Sequence, residues 1–104
     1  MDRPKITING KTYEMEEPKS KAWRLITELD ENKKDIPNVE IVEKFVEVIA
    51  QLFDGVTKEE LLENMDIADV FPTFYSCYTY TSKVLFTGTK KLDSTKGEGE
   101  AVTA

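Results

Sequence analysis

Histidine is absent from these 104 residues. Its absence removes the Ser-His-acid and Cys-His nucleophile systems, most zinc sites and the usual proton carrier near neutral pH. Cysteine is nearly as scarce. Cys77 stands alone, so a disulfide within the chain is impossible, which suits a reducing compartment. No apolar run approaches the roughly 20 residues that span a bilayer, and the opening MDRPKITING has no apolar signal core. A soluble, cytoplasmic protein with no membrane partner is expected. Positive charge is in deficit: 14 Lys and Arg stand against 20 Asp and Glu, a net charge of −6. Such a surface repels phosphate backbones, so nucleic acid is not an expected partner either.

What is present suffices for one small folded domain. Hydrophobic residues make up 39% of the chain, which argues against wholesale disorder. The most legible stretch is ITINGKTYEM, where two short alternating runs flank Asn9-Gly10. Asn-Gly favours a type I′ turn, because both central residues need positive φ. A hairpin over 4–15 then pairs Ile8 with Lys11, Thr7 with Thr12, Ile6 with Tyr13 and Lys5 with Glu14. One face carries Pro4, Ile6, Ile8, Tyr13 and Met15; the other carries Lys5, Thr7, Thr12 and Glu14. An isolated hairpin is marginal in water, so its apolar face must cover helices or a partner.

Helical periodicity takes over after Pro18. A first helix over about 19–34 aligns Ala22, Leu25, Ile26 and Leu29, with Trp23 at the border of the stripe. A second, over about 39–53, has a continuous face of Val42, Phe45, Val46, Ile49, Leu52 and Phe53, broad enough for a central helix. Asp54-Gly55 ends it, with Gly55 suited to a left-handed position. Thr57 and Glu60 form a capping box for a short helix over 58–64, and Asp66 reads as a further N-cap. The last helix is expected over 67–86. Pro72 either kinks it or marks its true first turn. Phe71, Phe74, Tyr75, Tyr78 and Leu85 fit a helical stripe, from which Tyr80 points away. The residues 76–86 also alternate as a strand would, and their Thr and Tyr content favours β structure; helix is the reading adopted. From 87 to 104 the composition turns polar, and a disordered tail is expected. The fold class is thus α+β: an N-terminal hairpin on a bundle of about four helices, forming a single domain over 1–86.

Chemistry-bearing patterns are few. Glu16/Glu17, Asp30/Glu31 and Glu59/Glu60 read as helix ends or solvated faces. NMDIAD lacks EF-hand spacing, and Gly97 and Gly99 do not form a phosphate loop before a helix. Cys77 reads as a small buried hydrophobe; as a nucleophile it would need Lys83 to lower its pKa. Catalytic, metal and cofactor sites are therefore not expected. The most suggestive feature is the aromatic set Phe71, Phe74, Tyr75, Tyr78 and Tyr80, which is large for a small domain. With Trp23 at the stripe edge, it is the candidate partner-binding surface.

The phrases RPKITINGKTYEM, PKSKAWRLI and VEKFVEVIAQLFDGVTKEELLENMDIADVFPTF, in that order, resemble the tail assembly chaperones of long-tailed phages and prophages of Gram-positive bacteria. The resemblance covers about residues 1–75 and departs at YSCYTYTSKVLF, which is more aromatic and Thr-rich. It implies a non-enzymatic protein that binds the tape measure protein, helps tail tube protein assemble around it and is missing from the finished virion. It also implies many copies per client, hence self-association, and in many members a longer frameshifted product of which this chain would be the short form. A client of long amphipathic helices suits recognition in an apolar groove. The competing reading is a small acidic interaction or regulatory module unrelated to phage tails.

Overall fold

The computed structural model describes residues 2–88. Strand β1 (Lys5–Ile8) and strand β2 (Lys11–Glu14) form an antiparallel hairpin in the register expected from the sequence. Asn9 and Gly10 have φ of 53° and 78°, the two positive values that a type I′ turn requires. Ile6, Ile8 and Met15 are buried, whereas Lys5, Thr7, Thr12 and Glu14 face solvent. The Thr7 and Thr12 hydroxyls meet across the exposed face at 3.1 Å. Glu14 forms its ion pair with Arg3, at 3.4 Å, and the same guanidinium donates to the Met15 carbonyl at 3.0 Å. The hairpin is tied to the helices where Met15 bridges Phe53 and Glu16 N–H donates to Leu52 O.

Four helices follow: α1 (Ser20–Asn32), α2 (Asn38–Leu52), α3 (Lys58–Asn64) and α4 (Val70–Thr87). Short 3₁₀ turns extend α1 over Lys33–Asp35 and precede α4 over Ile67–Asp69. Helix α2 is central, as its wide apolar face requires: Phe45, Val46, Val48, Ile49 and Leu52 are all buried. Phe53 leaves the helix in extended conformation, and Gly55 makes the following turn at φ 88°. Both halves of the Thr57–Glu60 capping box are formed. Lys58 then reaches back to Glu43 on α2 at 2.8 Å. Asp66 caps the 3₁₀ turn by accepting from Ala68 N–H.

Pro72 lies in the first turn of α4, where its missing N–H has no intrahelical role. Of the two alternatives, the start of the helix is the observed one. The segment 76–86 is helical to its end, and α4 closes on Gly88 with φ 71°, whose N–H bonds Val84 O. Thr87 is thus helical and Gly88 caps it; the rest of the expected disordered tail, 89–104, lies outside the described residues.

One expectation about α4 is corrected. Its buried face is Val70, Phe74, Cys77, Tyr80 and Thr81. Relative to the expected stripe, that face is rotated by about a quarter turn, given 3.6 residues per turn. Tyr80 does not point away from the core: it is 2% exposed. Phe71 and Leu85, placed on the stripe by spacing, are instead 46% and 50% exposed. The reason is that α4 is apolar around most of its circumference, so period alone does not choose a face. Packing against α2 chooses it: the Phe45 ring meets the Phe74 ring edge-on at 4.6 Å.

Candidate partner-binding surface

The buried face of α4 leaves its adjoining flank, with Phe71, Tyr75, Tyr78, Leu85 and Phe86, only partly covered. Helix α1 runs antiparallel along this flank. Near the start of α1, the Trp23 ring packs edge-on against Tyr78 (5.7 Å between centroids) and Phe86 (6.0 Å). Near its end, Asp30 and Lys33 reach Tyr75. Rings then follow one another along the helix, Tyr78 to Tyr75 at 6.1 Å and Tyr75 to Phe74 at 5.0 Å, and the buried Phe45 of α2 joins Phe74 (4.6 Å) to Phe71 (4.7 Å). The result is a continuous aromatic row from Phe86 to Phe71. Edge-to-face and tilted pairs of this kind add a fraction of a kcal/mol to about 1.5 kcal/mol each beyond burial.

The middle of the row is pinned by a polar triangle. Lys33 Nζ donates to Asp30 Oδ1 and Tyr75 Oη, both at 2.8 Å, and Tyr75 Oη–H donates to Asp30 Oδ1 at 2.7 Å. The ammonium also lies 5.3 Å from the Tyr75 ring centroid. The hydrogen bond from Lys33, followed by that from Tyr75, holds the Asp30 carboxyl below its ordinary value, and the same bond to Asp30 raises Lys33. Burial raises the Tyr75 phenol.

Of the residues singled out in the sequence, the row therefore unites Trp23, Phe71, Phe74, Tyr75 and Tyr78. Phe74 is fully buried within it; Trp23, Tyr75 and Tyr78 are half-buried. Tyr80 lies on the other side of α4, in the core. The row's most open member is one that spacing did not single out: Phe86, 75% exposed. Its signal was present in the sequence, since Tyr78, Ser82 and Phe86 fall at successive i, i+4 steps and so share a flank.

Cys77 is fully buried, and burial pushes its thiol up to about 12, which leaves it protonated and inert at neutral pH. One turn on, the buried Thr81 hydroxyl has no hydrogen-bond partner. Among the described residues no group of three or more Cys, Asp or Glu is placed to hold a metal ion, and no helix is long and apolar enough to cross a membrane. The arrangement leaves apolar area uncovered along α4, with one polar clamp beside it.

A family model described as phage tail chaperone protein matches residues 6–98. The match runs through the whole of α4, beyond the point at which the sequence phrases alone depart from the pattern. No curated protein and no solved structure matches the chain.

Proposed function

Because the chain belongs to the phage tail chaperone protein family, we propose that it binds the tape measure protein in the host cytoplasm and assists assembly of tail tube protein around it. The role is non-enzymatic: the chain holds and releases a client rather than transforming it. The observation that carries this reading is the aromatic row on the α1–α4 flank, which ends in uncovered Leu85 and Phe86. An amphipathic helix of a client offers apolar side chains at i, i+3, i+4 and i+7, which match a rigid apolar strip of this kind. The net charge of −6 keeps a chaperone soluble while that strip is open. Several copies bound along one long client would each use the same strip, with self-association arranging them.

Co-expression with the longest helical protein encoded nearby tests the reading. A soluble complex containing several copies of this chain per client is the expected result on size-exclusion chromatography with light scattering. A client that precipitates while this chain elutes alone would overturn it.

A further inference from the structure

We propose a second docking site, separate from the aromatic row: the outer edge of β1 accepts one extended, basic peptide segment of a partner protein as an added strand. Backbone geometry comes first. Met15 N–H donates to Pro4 O at 2.9 Å, and residue pairs in an antiparallel ladder alternate between bonded and non-bonded. In the observed register, Ile6 and Ile8 therefore turn their N–H and C=O groups to β2, and Lys5 and Thr7 turn theirs outward. Among the described residues no turn, loop or cap hydrogen bond takes up those outward groups.

A groove of about 390 Å³ opens beside them. All four residues of β1 line it and none of β2 does, so it lies on the free edge. Its other side is the turn between α3 and α4, with Asn64, Asp66 and Asp69. A strand laid in the groove about 4.8 Å from β1 would take up the open backbone groups of Lys5 and Thr7.

Charge selects the occupant. Asp66 and Asp69 line the groove against a single cation, Lys5. Asp66 commits Oδ1 to the Ala68 N–H, and its second oxygen remains for a ligand. The Asp69 carboxylate has neither a hydrogen bond nor an ion pair among the described residues. Alternate side chains of an added strand turn to one face, so Lys or Arg at those positions meets these carboxylates. An acidic segment is repelled, and a proline-containing one lacks the N–H the edge requires. A second copy of this chain, with its net charge of −6, is a poor match on the same ground.

The test is an amide NMR titration of the full chain with a short synthetic peptide of alternating Val and Lys. Alternating Val and Glu, and a proline-substituted version, serve as controls. Shifts at Lys5, Thr7, Asn64 and Asp66 are expected, with slowed hydrogen exchange at the Lys5 and Thr7 amides. The double variant Asp66→Asn, Asp69→Asn should weaken binding roughly tenfold, the sum of two modest surface charge contacts. Asn is as good an N-cap as Asp, so that variant keeps its fold. Equal binding of the Glu peptide, shifts confined to the aromatic row, or no shifts at all would overturn the proposal. So would Lys5 and Thr7 amides already protected in the free protein, which would mean that residues 89–104 or a second copy occupies the edge.

Discussion

The two flanks of α4 are built to opposite ends. On one, Val70, Phe74, Cys77, Tyr80 and Thr81 are buried, and the Phe45 ring closes over Phe74. On the other, Phe71, Leu85 and Phe86 keep half or more of their surface in water, or close to it, although the Trp23 ring backs Phe86 at 6.0 Å. Full burial of a Phe or Leu side chain contributes about 1.5–3 kcal/mol, and the exposed flank forgoes part of that. The difference teaches that one helix closes the core on one side and leaves apolar area uncovered on the other; partner contact on the uncovered side is the proposal. A substitution on the closed flank should therefore unfold the protein, and one on the open flank should leave the fold alone.

The largest effect is expected from Phe45→Ala, which removes the ring against which Phe71, Phe74 and Tyr75 pack. A loss of about 3–5 kcal/mol is expected in urea unfolding; an unchanged midpoint would mean that α4 does not depend on α2. Gly10→Val should cost less, about 1–3 kcal/mol, because a β-branched residue resists φ of 78°. Its thermal midpoint should fall while the helical circular dichroism of the remaining folded protein is retained. Thr57→Ala removes the side chain that caps α3 and should cost about 1 kcal/mol.

Smaller still is the pH dependence of the clamp beside the open flank. The Asp30 carboxyl is held below its ordinary 3.8 in the folded state. Its contribution is complete above pH 3.8 and is lost as pH falls from there through the depressed folded value. Wild type and Asp30→Asn should thus differ in thermal midpoint at neutral pH and converge below about pH 3.8. A gap that stays constant down the acid limb would show that the Lys33–Asp30–Tyr75 triangle adds nothing through ionisation.

The same division between flanks explains what could be read from the chain and what could not. The hairpin was legible to the residue, because Asn9-Gly10 fixes a turn and a turn fixes register. The capping box at Thr57 and Glu60 was equally legible, since its partners are three residues apart. In α4 the element itself was legible but its orientation was not. Apolar and aromatic residues surround it, and the face that goes inward depends on the position of Phe45, some thirty positions away in sequence. Spacing alone consequently points Tyr80 outward and does not single out Phe86, whereas the fold buries the first and exposes the second. The polar triangle was invisible for a related reason: Asp30 and Tyr75 are 45 residues apart and are joined only by the packing of α1 on α4.

The most direct measurement is a paired one on the double variant Leu85→Glu, Phe86→Glu. Both residues are at least half exposed, so the variant should keep wild-type helical circular dichroism and stay folded, with a loss of no more than about 2 kcal/mol from the Trp23–Phe86 ring pair and two acids in the last turn of α4. Co-expressed with the same long helical client, it should fail to co-elute and leave the client insoluble. A double variant that stays folded and still carries the client into solution would show that the aromatic row is not where the partner binds.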